Sequence, residues 1–307
     1  MFRRLRFGRE RRPGATIAGV AQLIRTKKEL REQRADMHGS VGLVMTMGAL
    51  HQGHLQLVRA ARESSENVIV SIYVNPLQFA PNEDFDAYPR DLEADMALLE
   101  TVLAEGDVVF APSDEEMYPR EPLVRINPGL IATLFEGTTR PTHFAGVLQV
   151  VNKVFNLARP DVAFFGQKDA QQLSLIRTMV TDLDMPLEIR AVPIVREESG
   201  LARSSRNSYL SENERIQAQA LSQALSVGRD AAARGAGPEQ TLRVAREYLD
   251  AADGVRVDYL ELVDPETFQS LAGADGVAAP AAGLLIVAAY VGPTRLIDNM
   301  EVVFRER

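Results

Sequence analysis

The chain of 307 residues contains no cysteine, which excludes disulfides, thiolate metal sites and thiol nucleophiles. This absence fits a reducing compartment, so we expect a cytoplasmic location. No apolar run reaches the roughly 20 residues needed to cross a bilayer, and we expect no membrane partner. The formal net charge of −8 argues against a nucleic-acid partner, because phosphate backbones would be repelled.

Two common nucleotide-binding signatures are also missing. The P-loop pattern and the dinucleotide pattern G-x-G-x-x-G are both absent, which argues against P-loop kinases and NAD enzymes. No serine–histidine–acid set occupies an evident nucleophile elbow.

Residues 1–14 form a basic arm, in which six arginines stand against one acid, Glu10. A targeting arm and an anion-binding tail are two interpretations. Because charged termini are usually loose, we favour a disordered extension or a start codon placed too early. The arm lacks the apolar core of a secretory signal.

From residue 40 to 192, short apolar runs alternate with helical patterns. Valine- and isoleucine-rich strands separated by helices predict a mostly parallel sheet covered on both faces, with ligands beyond the carboxyl ends of the strands. The predicted strands are Val41–Met47, Val68–Val74, Asp107–Phe110, Val162–Phe165 and Leu187–Val192. The predicted helices are Leu55–Glu66, Leu92–Glu105, Gly146–Leu157 and Ala170–Leu183.

The pattern changes near Pro193, and we place a boundary there between domains 15–192 and 193–307. The first is predicted to be the Rossmann-like, ligand-binding domain, and the second a smaller lid domain of the α+β type. Its expected elements are helices Ser211–Arg234 and Glu239–Ala252 and strands Val255–Val263, Gly283–Val291 and Thr294–Val303. The Ala/Gly-rich segment 272–282 is predicted to be a surface loop.

The most informative segment, 45–54, lies between a predicted strand and a predicted helix. His51 and His54, two of only four histidines, flank a glycine in this turn. Such a turn directs backbone N–H groups and a positive helix end at one place, which suits a phosphate. The imidazoles can donate hydrogen bonds to the same phosphate. The alternative is a histidine pair that only caps the helix.

Further polar clusters follow other predicted strands or the domain boundary. Asn75 and Gln78 offer neutral amides, although Asn before proline is also a common turn start. Lys168 can reach a phosphate as a point charge, and Asp169 can cap a helix or bind a ribose. The loop 203–207 combines hydroxyls with guanidinium groups, which suits β- and γ-phosphates; an ordinary polar loop is its alternative.

Together these clusters resemble the pantothenate synthetase, or pantoate–β-alanine ligase, family over nearly the whole chain after the basic arm. The matching motifs are T-M-G-A-L-H-x-G-H at 46–54, V-N-P-L-Q-F at 74–79, Y-P-R at 88–90, R-P-T-H-F-A-G-V at 140–147, F-G-Q-K-D at 165–169 and S-S-R-N at 204–207. The resemblance implies an α/β fold with a Rossmann-like doubly wound parallel sheet of the H-x-G-H nucleotidylyltransferase type, beside a smaller C-terminal α+β domain. It also implies that the Rossmann-like domain 15–192 binds ATP and pantoate and that the domain 193–307 is a lid.

The resemblance implies a two-step reaction. ATP and pantoate first give pantoyl adenylate and pyrophosphate, and the amine of β-alanine then attacks the acyl phosphate, releasing AMP and pantothenate. It also implies a requirement for Mg²⁺ and a homodimer formed through the larger domain.

Site residues follow from the same resemblance. The catalytic set is His51, His54, Lys168, Ser204 and Arg206. The ATP-binding set is Met47, Gly48, His51, His54, Gly166, Lys168, Asp169, Val195, Ser204, Ser205 and Arg206. The pantoate-binding set is Met47, Asn75, Gln78, His143 and Gln172. Asp95 is the expected Mg²⁺ ligand.

Three residues depart from the family pattern. Met45 replaces a proline, Ala94 replaces an acid that would precede Asp95, and Arg203 replaces a methionine or leucine. Two other functions remain open: a nucleotidylyltransferase acting on a phosphate-bearing substrate, and a non-catalytic nucleotide sensor. The neutral amides at Asn75 and Gln78 argue against a phosphate-bearing acceptor.

Overall fold

The computed structural model describes residues 21–81, 83, 85–273 and 281–304. The basic arm and most of the predicted loop 272–282 lie outside these residues. The elements, in chain order, are β1 (Gln22–Ile24), α1 (Lys27–Asp36), β2 (Val41–Thr46), α2 (Gln52–Ser64), β3 (Asn67–Ile72), α3 (Leu92–Leu99), β4 (Val108–Phe110), α4 (Asp114–Met117), α5 (Glu136–Thr139), α6 (His143–Ala158), β5 (Val162–Gly166), α7 (Ala170–Asp182), β6 (Glu188–Val192), α8 (Glu212–Ala233), α9 (Pro238–Asp250), β7 (Val255–Val263), β8 (Ala282–Val291) and β9 (Thr294–Val303).

Strands β1 to β6 form one parallel sheet in the order β1-β4-β3-β2-β5-β6. Successive side chains of a strand face opposite sides, so Leu43 packs against α1, α6 and α7 while Val44 packs against α2 and α3. Both faces are therefore covered, which confirms the predicted doubly wound α/β architecture. The carboxyl ends of β2 and β5 lie at one edge, where the polar clusters follow.

Strands β7, β8 and β9 form a separate antiparallel sheet. Leu221 and Leu225 of α8 and Leu249 of α9 pack with Leu285 and Val287 of β8 into a second apolar core. This packing confirms the smaller α+β unit. No helix of the described chain is long and apolar enough to cross a membrane.

Several element bounds differ from the prediction. Helix α2 begins at Gln52 rather than Leu55, because the side chains of His51 and His54 complete a capping box. Helix α3 ends at Leu99 rather than Glu105, since tighter bonds such as Thr101 N–H to Leu98 O replace the helical pattern. Ala282 belongs to β8 rather than to the predicted loop.

Polar contacts join the second sheet to helix α5 of the larger unit. Arg295 of β9 donates two hydrogen bonds to Glu136 of α5, at 2.6 and 2.8 Å. The Tyr259 hydroxyl of β7 donates to the same carboxylate at 2.9 Å. Despite burial, these partners hold the pKa of Glu136 below its usual range. The second sheet is thus fixed against the edge of the first where the candidate site lies.

Candidate active site

The turn after β2 has an unusual backbone conformation. Gly48 and Ala49 both have positive φ, +82° and +50°. A left-handed alanine is strained and persists only where its surroundings hold it. Asp95 of α3 supplies that support: one carboxylate oxygen accepts Ala49 N–H at 3.2 Å, and the other accepts Leu50 N–H at 2.7 Å.

This turn presents His51 and His54 with defined ring orientations. His51 is the N-cap of α2, and its Nδ1 accepts the N–H of Gly53 at 3.1 Å. His54 Nδ1 accepts the N–H of His51 at 3.3 Å, and the two rings stack with centroids 4.1 Å apart. Because both Nδ1 atoms accept, the proton of each neutral ring is on Nε2. Each imidazole therefore has a free N–H donor.

The surroundings keep both rings neutral. Burial lowers the pKa of His54 to about 3, with further contributions from His51 and Lys168. Burial also lowers the pKa of His51, and the cations of Lys168 and Arg203 act in the same direction. At neutral pH the pair thus offers hydrogen bonds rather than positive charge.

Positive charge comes from two other segments of the same cleft. Lys168 lies on the 3₁₀ turn Gln167–Asp169 that follows β5, while Arg203 and Arg206 lie on the loop after β6. Within the described chain, none of these three side chains makes a hydrogen bond or an ion pair. Cations that share a cavity without ion-pair partners form an anion-binding site.

Ser204 adds a donor to this set. It is the N-cap of the 3₁₀ helix Ser205–Tyr209, and its Oγ accepts the Arg206 N–H at 3.3 Å. Its hydroxyl hydrogen is left available for a ligand.

A neutral surface adjoins the cations. The Gln78 amide lies beside Met47, with Nε2 at 3.8 Å from the thioether sulfur. Gln172 of α7 lines the cavity, and its side chain has no hydrogen-bond partner among the described residues. Arg140, which also lines this region, is ion-paired with Glu83 at 2.5 and 2.8 Å. A ligand here therefore meets amides and apolar groups, with the nearby guanidinium neutralised.

Most predicted residues meet around one cavity of about 260 Å³. Those that line it are Met47, His51, His54, Gln78, His143, Gly166, Lys168, Asp169, Gln172, Val195, Ser204, Ser205 and Arg206. Three predicted residues do not line this cavity: Gly48, Asn75 and Asp95.

Two predicted pantoate contacts are used by the protein itself. Asn75 is 0% exposed, and its Nδ2 donates to Gln78 Oε1 and Gly146 O, each at 3.0 Å. His143 Nδ1 lies 3.0 Å from Gln78 O, and Arg140 Nη1 lies 3.3 Å from its Nε2. The structure thus gives Asn75 the role of orienting Gln78, and His143 faces the cavity with its ring.

Asp95 has hydrogen-bond partners within the protein, and its role as a Mg²⁺ ligand stays a prediction. It is 3% exposed, and each oxygen is directed at a backbone N–H of the turn. Burial raises the pKa of its carboxyl, although the N–H bonds from Leu50 and Ala49 oppose that effect. The described residues include no group of three or more His, Asp or Glu that suits a metal ion. The hydrogen bonds to Asp95 hold the backbone of the turn, and we assign no step to a protein-held Mg²⁺.

Sequence reasoning missed two polar residues at the site, Asp298 and Asn299. Both are buried in β9, which was predicted only as a strand. The available signal was an adjacent acid and amide in the middle of a strand that packs on a core.

Comparison with known proteins identifies the family. The family model described as pantoate-beta-alanine ligase matches residues 22–301. This chain belongs to the pantoate–β-alanine ligase family.

Two pantothenate synthetases match this chain over nearly their full length. The pantothenate synthetase of Acidothermus cellulolyticus is 51% identical over 296 residues, covering 95% of this chain and 96% of that protein. That of Corynebacterium glutamicum is 53% identical over 285 residues, covering 92% and 100%.

Solved structures have the same fold. A pantothenate synthetase from Thermus thermophilus has a TM-score of 0.84 and 45% identity, covering 92% of this chain and 99% of that one. A pantoate–β-alanine ligase from Francisella tularensis, described as complexed with β-γ ATP and β-alanine, has a TM-score of 0.72 and 32% identity, covering 91% and 97%. These matches agree with the Rossmann-like sheet and the smaller C-terminal unit.

Proposed function

We propose that this chain condenses pantoate with β-alanine in an ATP-dependent reaction through pantoyl adenylate, releasing AMP and pyrophosphate. One observation carries the proposal. The unpaired cations Lys168, Arg203 and Arg206 share a cavity with the neutral donors His51 and His54, next to an amide-lined surface. A triphosphate beside a small hydroxy acid fits this distribution of charge. The substrates named for the Francisella relative, ATP and β-alanine, are those of the proposed reaction.

In the first step, a carboxylate oxygen of pantoate forms a bond to the α-phosphorus, and the bond to the leaving pyrophosphate breaks. The nucleophile is already an anion, so the step needs no general base. Lys168, Arg206 and the Ser204 hydroxyl would stabilise the charge on the transferred phosphate and on pyrophosphate. The Nε2–H groups of His51 and His54 would hold the phosphate oxygens in position.

In the second step, the amine of β-alanine attacks the acyl carbon, AMP leaves, and the nitrogen loses a proton. A neighbouring cavity of about 320 Å³ extends from the first toward β9. The residues that line both cavities are Arg140, His143, Lys168, Asp169, Gln172, Ser204 and Arg206. This continuity supports an approach for the second substrate that does not cross the triphosphate.

The pantoate subsite is assigned to Gln78, Gln172 and Met47, with Asn75 as support. A nucleotidylyltransferase would need extra cations for a phosphate-bearing acceptor. Arg140 is the nearby candidate, and its pairing with Glu83 removes that charge. The neutral surface therefore favours a hydroxy acid over a phosphorylated substrate.

Residues 15–192 and 193–307 are proposed as two domains, supported by the separate cores of the two sheets. We also include in the proposal a homodimer, a cytoplasmic location and dependence on Mg²⁺.

The dimer is supported by an apolar patch on the larger domain, where Leu123 is 81% exposed and Val124 is 82% exposed. If this patch is the interface, Leu123→Glu yields monomers in light scattering where the unaltered chain is dimeric. A dimeric Leu123→Glu protein contradicts that assignment.

The decisive assay measures pyrophosphate release with ATP and Mg²⁺, with and without pantoate and β-alanine. We expect release to require pantoate, and pantothenate to form only with β-alanine. His54→Ala and Lys168→Ala should each reduce adenylate formation by about 100- to 1,000-fold, the usual cost of one such donor. His38→Ala and Lys28→Ala, both exposed positions, are matched controls. Release that does not depend on pantoate would contradict the ligase reaction, and no release would indicate a sensor or a nucleotidylyltransferase without its phosphate-bearing acceptor.

A further inference from the structure

Two adjacent polar residues are buried in the middle of β9. Asp298 is 4% exposed and Asn299 is 6% exposed. Buried polar groups require partners, so the contacts of these residues indicate what they are for. Successive side chains of a strand face opposite ways, which lets the pair reach two different segments.

Asn299 holds the turn that carries Lys168. Its Nδ2 donates to the carbonyl oxygens of Gln167 and Lys168, each at 2.9 Å. Both amide hydrogens are thereby used. The turn Gln167–Asp169 has no side-chain cap of its own. A residue of the second sheet therefore fixes the backbone from which the flexible Lys168 side chain extends.

Asp298 holds the loop that carries the arginines. Its two oxygens accept from Arg196 Nη1 and Nη2, at 2.6 and 3.0 Å. Arg196 also donates to the carbonyls of Gly200 and Asn299. The loop is closed just before Ser204 by two main-chain contacts. Arg196 forms a β-bridge with Ala202, and the Arg203 N–H donates to Val195 O.

We propose that Asp298 and Asn299 are positioning residues that fix the two cationic segments of the site relative to each other. The inference rests on the proposed function and assigns neither residue a contact with the reacting atoms. Asn299 acts through Lys168, and Asp298 acts through the segment 203–206. Because a displacement of about 1 Å can cost roughly 100-fold in rate, such an anchor controls catalysis without touching substrate.

A double-mutant cycle tests the pair Asn299 and Lys168. We expect Asn299→Ala to lower kcat for adenylate formation by roughly 10- to 100-fold in the unaltered background. In the Lys168→Ala background the same change should cost less than about threefold, because the group it positions is gone. KM for pantoate should change by less than about threefold, since Gln78 lies on a different segment and Gln172 lies within helix α7 rather than on the turn itself. A role in stability alone would give equal losses in both backgrounds.

Another buried polar residue of β9 provides the control, and variants at Asp298 and Asn299 provide further tests. Thr294→Val replaces another buried polar residue of β9 and should leave kcat unchanged. If Asn299→Ala does not fold, Asn299→Leu keeps a similar branched shape and removes both donors without adding a charge. Asp298→Asn in the Arg206→Ala background tests the second segment in the same way. Additive losses, a loss below twofold for Asn299→Ala, or an equal loss for Thr294→Val would overturn the inference.

The same variants keep this test separate from the proposed function. If the unaltered chain releases no pyrophosphate, the proposed function fails. Calorimetric titration with a non-hydrolysable ATP analogue then still measures the positioning role. Asn299→Ala should weaken binding by about tenfold in the unaltered background and by less than threefold with Lys168→Ala. Equal weakening in both backgrounds would overturn it.

Discussion

Gly146 sets how closely α6 approaches the segment that carries Gln78. A methyl group added there would lie 2.0 Å from Leu77 O and 2.8 Å from Gln78 N, both backbone atoms. Ordinary contact begins near 3.4 Å, so the 3₁₀ turn Pro76–Gln78 would have to move by about 1.4 Å. The bond from Asn75 Nδ2 to Gly146 O would be lost as well.

We therefore expect Gly146→Ala to displace Gln78 and to lower kcat/KM for pantoate by about 100-fold. The unfolding free energy should fall by about 1–3 kcal/mol from overpacking, offset by the roughly 0.5–1 kcal/mol that alanine gains over glycine in a helix. Initial rates of pyrophosphate release at saturating ATP give the first quantity, and urea unfolding gives the second.

Gly237→Ala is the matched control, because a methyl group there meets no atom within 4 Å. It should change neither quantity appreciably. The reasoning fails if Gly146→Ala retains kcat/KM for pantoate within threefold of the unaltered chain, or if KM for ATP rises as much as KM for pantoate.

Three further outcomes are expected. Asp95→Asn replaces one acceptor by a donor facing a backbone N–H, so urea unfolding should show a loss of about 1–3 kcal/mol; an unchanged value contradicts the anchoring role. The folded pKa values of His54 and His143, about 3 and about 4, lie below the unfolded value of 6.5. The contribution of each ring is therefore complete above pH 6.5. It should fall by roughly 1.4 kcal/mol per pH unit from pH 6.5 down to about 4 for His143 and about 3 for His54, a slope that His54→Gln reduces. Arg203→Met should weaken ATP binding by about two- to fivefold at low salt, measured calorimetrically, and equal affinity would show that Arg203 faces solvent.

The architecture was predictable because its strands are continuous apolar runs. Val41–Thr46 and Glu188–Val192 lie within one residue of their predicted bounds. The edge strand Gln22–Ile24 was missed, since three residues give no periodic signal. Helix Lys27–Asp36 was also missed, although the capping box of Thr26 and Glu29 was a readable sign of its start.

The site was predictable where a residue's chemistry points to a ligand, and not where long-range contacts decide its role. Asp95 was predicted as a metal ligand, and nothing in the sequence indicated its contact with the turn some 45 residues earlier. Asn75 was predicted to contact pantoate, and the sequence did not indicate that this residue is completely buried. Asn299 contacts carbonyls more than 130 residues away, and no local pattern records such a contact.

The link between Glu136 and Arg295 limits how products can leave. Swinging the second sheet away about Pro193 would separate the half-buried ion pair of Glu136 and Arg295, whose side chains are 14% and 16% exposed. It would also break the hydrogen bonds that the Tyr259 hydroxyl and the Asn299 amide donate to the larger unit. Opening of the predicted lid therefore has to break these contacts, and we expect departing pyrophosphate to pass through shifts of the 195–206 loop.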